Sequence, residues 1–345
     1  MLSNGARTRR VVIDDVARHA GVSRQTVSNV VNGHGRFTES TRDRVLRSVA
    51  ELGYRPSHAA RLMRSGRTAT LAHPVVESEL VPHNLIAAQF LQALVGAAGA
   101  AGYSLLTTPA EPPETVEQFV AEGRVDGVIL SDCSPGDSRV ARLVAGGVPF
   151  ATFGRTGPED PQCWVDVDSV GSVRTATEHV LMLGHRRVAF LGYTGPASGV
   201  WDDDRQRGFS QAMRAADMRP MGIERVAHPG ASAAADRLLS GPDRATAIVC
   251  GSDVLAAAVY AVAAAHGLQV GADLAVTGFD GGAGTTNLTP TLTTMRQPIA
   301  GIAREVVERV RREVDGTGGG PGLLLIAPLV VGESTVALPA DRSHR

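Results

Sequence analysis

The chain has 345 residues, 43% apolar and 20% charged, which excludes a disordered polymer and exceeds what one ordinary hydrophobic core organises. Its net charge of −1 conceals a segregation: residues 1–70 carry thirteen arginines against five acids, and the rest carries twenty-one against thirty. A small basic head on an acidic body is what phosphate binding by one end requires. All 34 basic residues are arginine. No apolar stretch follows the N-terminal MLSNGARTRR, and no apolar run is long enough for a membrane span. Cys133, Cys163 and Cys250 are scattered, without Cys-x-x-Cys spacing. Buried thiols in a reducing, cytoplasmic protein are the expectation.

In chain order, residues 11–52 read as three short helices. The first is Ile13–Ala20, closed by the turn Gly21-Val22; Ser23 then caps a second that runs to about Asn32. Thr38 caps a third, with Val45, Leu46, Val49 and Leu52 expected on one face and Gly53 as its stop. Tyr54-Arg55-Pro56 leads out in an extended form. The basic segment 57–64 has room for one or two helical turns, and 65–68 is a linker.

From about residue 70 short apolar runs alternate with amphipathic stretches. Strands are expected at 104–108, 126–131, 149–154, 187–192, 246–251 and 274–280, with helices at 86–101, 169–183, 203–217 and 253–266. Such alternation implies parallel sheet with right-handed crossovers. About ten units over 270 residues indicate two doubly wound lobes. The glycine-rich 316–322 is a surface loop.

A helix-turn-helix needs a small residue where its helices cross, a glycine in the turn and an apolar residue pointing back at the pair. With Ile13 as the first position, Ala17, Gly21 and Val27 fall fifth, ninth and fifteenth. Any small three-helix bundle could share this pattern, but the excess of arginine selects DNA binding. The second helix would enter the major groove. Arg24 is suited to guanine, Gln25 to adenine, and Asn29 lies on the same face. The hydroxyls of Ser23, Thr26 and Ser28 suit phosphates, with Ser23 serving equally as a cap. Arg55 is read as a solvated charge or a phosphate clamp, not a base reader.

The runs VVIDDVARHAGVSRQTVSNVVNG (11–33) and TESTRDRVLRSVAELGYRPSHAARLMRSGRT (38–68) resemble the head of the lactose/galactose-repressor family. RVDGVIL, TEHVLMLGHRRVAFLG, RQRGF, VTGFDG and LTPTLTTMRQP continue the resemblance in order. It implies an α/β protein with an all-α helix-turn-helix head (10–56), a hinge (57–68) and a two-lobed core resembling periplasmic sugar-binding proteins (69–340). The lobes would comprise about 69–166 with 297–327, and about 168–293 with 329–340. A hinge helix would wedge Met63, with Leu62 beside it, into the minor groove of a pseudo-palindromic double-stranded operator held by a homodimer.

The resemblance also implies a small-molecule effector, a sugar or sugar derivative, between the lobes. Arg205 matches the family's effector-gripping arginine and Asp280 an acid that accepts from ligand hydroxyls. Ser252, Asp253, Arg155 and Trp201 lie at neighbouring loops. Asp253 serves equally as a helix cap, and Trp201 either stacks on a sugar or covers the core. Asn29, Ser252 and the loop HNLIA (83–87) depart from common family residues. The run Asp202-Asp203-Asp204 reads as a solvated helix start, not a metal cluster. No cofactor, metal site or catalytic arrangement is implied. A sugar-binding protein without DNA binding is the alternative, and it leaves the basic head unexplained.

Overall fold

The computed structural model describes residues 11–31, 35, 37–54, 66–79, 84–112, 114–133, 136–155, 163–194, 200–227, 230–282 and 287–338. They fall into two compact units, divided between Arg67 and Thr68.

The head contains α1 (Ile13–Ala20), α2 (Arg24–Val31) and α3 (Glu39–Glu51). The Asp15 carboxylate accepts the Val12 N–H at 3.0 Å, supplying an acceptor to a donor that the helix leaves orphaned. Gly21 ends α1 at φ +61, a left-handed conformation that a side chain would strain, and Val22 N–H bonds the Ala17 carbonyl at 3.0 Å. Ser23 Oγ accepts the Thr26 N–H at 3.1 Å to begin α2, and Thr38 Oγ1 accepts from Thr41 at 3.4 Å to begin α3. Ala17 and Val27 are buried with Val16, Ala20, Val30, Val45 and Tyr54 in one small core. The expectation for α3 needs one correction. Leu46 is 43% exposed, because it lies about 100° round the helix from buried Val45. The inward position one turn on belongs to Ser48, whose hydroxyl bonds the Arg44 carbonyl at 2.9 Å and His19 Nδ1 at 3.1 Å.

The second unit opens with β1 (Thr70–Val75), α4 (Leu85–Ala100), β2 (Ser104–Pro109), α5 (Glu114–Ala121), β3 (Gly127–Leu130), α6 (Ser138–Ala145), β4 (Phe150–Phe153) and β5 (Trp164–Val167). It continues with α7 (Ser169–Met182), β6 (Val188–Tyr193), α8 (Val200–Ala215), β7 (Gly222–Val226), α9 (Ala231–Leu239), β8 (Ala247–Cys250), α10 (Asp253–Ala265), β9 (Ala275–Asp280) and β10 (Thr293–Arg296). Then come α11 (Ile299–Val314), β11 (Leu323–Leu325) and β12 (Leu329–Val330). The strands make two six-stranded sheets, ordered β2-β1-β3-β4-β5-β11 and β7-β6-β8-β9-β10-β12. All pairings are parallel except β10 with β12. The chain therefore changes sheet after β5, after β10 and after β11, with α11 packed on α4, β3 and β4 of the first sheet.

Each sheet is covered by helices, so its central strands bury both faces. The runs GVIL in β3 and AIVC in β8 are buried at every position. Strand order reverses between β1 and β3 in one sheet and between β6 and β8 in the other, the places where such sheets open a crevice at their carboxyl ends. The Asp126 carboxylate pins the start of β1 by accepting from the N–H of Thr68 at 2.6 Å, its hydroxyl at 2.9 Å and the N–H of Ala69 at 2.8 Å.

Helices α7 and α8 cross at Gly208, where an added Cβ would collide with the Val170 carbonyl oxygen of α7. Gly208→Ala should therefore destabilise the core by about 1–3 kcal/mol through forced separation of the helices. Urea unfolding measures this, and an unchanged midpoint would contradict the close crossing.

Candidate functional site

In the head, Arg24 and Gln25 are exposed on the first turn of α2, and Thr26, Ser28 and Asn29 are half-buried along it. Gln25 Nε2 donates to Asn29 Oδ1 at 3.0 Å, one turn apart, so the two amides form a single hydrogen-bonding face. Arg24 Nε lies 3.8 Å from Asp14 Oδ1, with side chains 70% and 55% exposed. A solvated pair of this kind holds its arginine weakly. Ser23 Oγ contacts Thr26 Oγ1 at 2.9 Å besides capping the helix. Arg55, Leu62 and Met63 lie outside the described residues.

In the core, the carboxyl ends of β6, β8 and β9 and the first turns of α8 converge on one arginine. Arg205 is buried, and its Nη1 donates to the Gly251 carbonyl at 2.6 Å. Nη2 stands 4.0 Å from Asp280 Oδ1. The guanidinium lies over the rings of Trp201, 4.6 Å to the centroid, and Phe279, 3.9 Å. Two aromatic faces and a carboxylate fix its plane, leaving a flat, preorganised donor.

Asp280 ends β9 at φ +127, a conformation that costs a non-glycine residue roughly 1–3 kcal/mol. Gln297 holds it there from the segment after β10. Its N–H bonds the Asp280 carbonyl at 3.0 Å, and its Nε2 donates to Asp280 Oδ1 at 2.8 Å. Burial raises the Asp280 pKa, opposed by Arg205. Asp253 accepts from Thr294 Oγ1 at 2.6 Å and from the N–H groups of Gly281 at 2.8 Å and Gly282 at 3.4 Å. Burial, then the charge on Asp280, pushes its pKa up to about 7. The α10 cap is Ser252, whose Oγ accepts the Leu255 N–H at 3.2 Å.

The run Asp202-Asp203-Asp204 is not a solvated helix start. Asp202 and Asp204 are 3% and 1% exposed, while Asp203 reaches outward to Arg225 at 2.8 Å. Because α8 starts at Val200, residues 202, 205 and 209 lie on an inward stripe, and 204, 208 and 212 lie beside it. Asp204 pairs with Arg207 and with Arg155, whose Nε also donates to Asp166 Oδ2 at 2.9 Å. Arg155 follows β4 of the first sheet and Asp204 belongs to the second, so this guanidinium bridges the lobes. Asp202 Oδ2 has no hydrogen-bond partner among the described residues. Burial pushes the Asp202 pKa up to about 7 against the pull of Arg205 and Arg225.

The first lobe also buries polar groups that sequence reasoning missed. His73 of β1 is buried, its Nδ1 faces the Ile129 carbonyl at 3.0 Å, and burial lowers its pKa. Glu79 accepts the Ser131 hydroxyl and, at 3.0 Å, the Val76 N–H. The available signal was a histidine inside the apolar strand LAHPV.

A basic helix-turn-helix on a chain whose core has two lobes meeting at strand ends defines a DNA-binding regulator with a small-molecule receptor. The matches agree with that class. Residues 12–57 match the bacterial regulatory proteins of the lacI family, and 177–335 match a periplasmic binding protein-like domain. The HTH-type transcriptional regulator CelR of Thermobifida fusca is 32% identical, covering 95% of this chain and 99% of CelR. The HTH-type transcriptional repressor PurR of Aliivibrio fischeri (strain MJ11) is 30% identical over 94% of this chain and 98% of that protein. Among solved structures, the lac repressor dimer bound to operator and the anti-inducer ONPF aligns with TM-score 0.78 at 26% identity, over 95% of this chain and all of that one. The CelR–cellobiose complex aligns at 0.69 and 29%, over 94% and 100%. The chain belongs to the LacI family of helix-turn-helix transcriptional regulators.

The buried acids generate a prediction about pH. Asp202 and Asp253 have folded pKa values near 7, above those of an unfolded aspartate. The folded protein thus keeps protons that the unfolded chain has released, and stability falls as pH rises from about 4 to 7. Asp202→Asn should flatten that slope and stabilise the core by about 1–3 kcal/mol at pH 8. Urea unfolding at pH 5 and pH 8 measures it. A slope identical to that of the unaltered protein would contradict the burial of this charge.

Proposed function

We propose that the chain is a cytoplasmic homodimeric repressor, not an enzyme, that grips a pseudo-palindromic operator and changes that grip when a saccharide binds between its core lobes. The observation that carries this reading is the flat Arg205 donor, backed by Trp201 at the start of α8 and by Asp280 and Gln297 at strand ends, on the same chain as an arginine-rich reading head. Guanidinium, carboxylate and indole are the groups that hold a polyol by paired hydrogen bonds and ring stacking. The complexes of relatives support it: the lac repressor dimer with operator and ONPF, and CelR with cellobiose.

Arg24, Gln25 and Asn29 would read base edges, with Ser23, Thr26, Ser28 and Arg55 on the backbone and Met63 and Leu62 in the minor groove. Residues 57–68 would act as the hinge. Arg205, Asp280 and Trp201 would hold the effector, with Ser252 and Asp253 shaping the loops around it. Arg155 would act on the angle between lobes, coupling effector to operator through a two-state core.

Selection from a random duplex pool, by sequencing what the purified chain retains at moderate salt, tests the reading. Two half-sites in a palindrome are expected; a pool without a motif contradicts it. Arg24→Ala should then weaken the selected duplex by about 1–3 kcal/mol and leave random duplex unchanged. Equal weakening on both would remove Arg24 from base reading. Arg205→Ala should abolish the change in duplex affinity caused by saccharide while basal duplex affinity persists. Loss of both would make Arg205 a purely structural residue.

A further inference from the structure

The charges around Arg205 do not balance. Asp202 and Asp280 both face Arg205, whose Nη1 is already committed to the Gly251 carbonyl; Asp253 lies against Asp280, and the more distant pull of Arg225 on Asp202 is shared with Asp203. Asp204 is separately matched by Arg155 and Arg207. Asp253 has both oxygens bonded within the protein, and Asp280 Oδ1 accepts from Gln297. Asp202 differs from both. It stands one turn before Arg205 on the inward stripe of α8, where the Tyr193 backbone at the carboxyl end of β6 bonds its carboxylate. Its Oδ2 has no partner among the described residues although the residue is only 3% exposed. Arg205 Nε is likewise buried without a partner among them. A buried carboxylate oxygen left open is expensive, and such groups persist where a ligand completes them.

We infer that Asp202 is a specificity-determining acceptor of the effector site. Its Oδ2, open among the described residues, takes an O–H or N–H from an uncharged or amine-bearing saccharide, and its charge rejects phosphorylated sugars. The inference rests on the reading of this cleft as the effector site and adds the ligand's charge class. The open acceptor and the neighbouring Arg205 Nε ask for a donor and an acceptor close together, which vicinal hydroxyls or an amino-alcohol supply. Above pH 7, where Asp202 is ionised, a phosphate would bring about two negative charges to a site that already sets the carboxylates of Asp202 and Asp280 beside Arg205, an unfavourable pairing that discriminates without any steric block.

The test is calorimetric titration of the full chain at pH 8, where Asp202 is ionised, with glucose disaccharides in α-1,4 and β-1,4 linkage, their glucosamine counterparts and their 6-phosphates. The neutral or aminated member should bind at least tenfold more tightly than its phosphate. Asp202→Asn at the same pH should shrink that ratio about tenfold, the effect of removing one like charge beside the phosphate. Asp203→Asn removes the same charge from the adjacent exposed position and should leave the ratio unchanged. A phosphate bound as tightly as the parent sugar overturns the inference, as does a ratio indifferent to Asp202→Asn or equally altered by Asp203→Asn. Binding of no member also overturns it. If the unaltered chain still retains its palindrome in that case, the ligand class is wrong while operator reading stands.

Discussion

One guanidinium bears on the arrangement of both lobes. Arg155 leaves the end of β4 and bonds Asp166 in its own lobe and Asp204 in the other. Asp166 and Asp204 are almost fully withdrawn from water, with side chains 7% and 2% exposed. Stripping charges of water offsets most of their attraction, so the network adds little net stability. Losing one partner is a different matter, because a stranded buried charge costs about 3–5 kcal/mol. Such a contact is suited to specifying a geometry. Asp204 adjoins Arg205 in sequence, so the turn of α8 that holds the first lobe also carries the central donor of the cleft. Under the proposed function, movement of that turn on effector binding would change lobe contact directly.

The remaining polar groups of the cleft are held ready in a similar way. Asp280 keeps a strained backbone because Gln297, on the segment that crosses between lobes, bonds both its carbonyl and its side chain. Asp253 spends its carboxylate tying the start of α10 to β10 and to the glycines after β9. Its part is to fix the loop from which Asp280 projects. Preorganisation of this kind stores strain and buried charge that a compact protein would otherwise shed, and a binding partner recovers part of it.

The head was legible because its determinants are local. Ala17, Gly21 and Val27 sit at fixed spacings, and Ser23 and Thr38 cap helices within three residues of themselves. The misplacement of Leu46 came from counting apolar residues on α3 when the inward position belonged to a serine. In the core, β3, β4, β6, β8 and β9 announced themselves as apolar runs buried on both faces. β7 reads GIERV and lies at a sheet edge; β11 and β12 have three and two residues, and their pairing to β5 and β10 is set by distant chain. Arg205 and Asp280 stood out through family resemblance. The roles of Arg155 and Asp202 did not. Whether an arginine bridges lobes or an acid turns inward depends on where α8 begins and on what faces it, and neither is written in the local sequence.

The account makes the cleft and the reading head two sites on one thermodynamic cycle, so the factor by which each ligand alters the other must be equal. The direct measurement is the affinity for the selected duplex with and without saturating saccharide, paired with the affinity for that saccharide with and without duplex. The account predicts one common factor, different from unity, in both directions. Saccharide that binds the core while leaving duplex affinity untouched would contradict it.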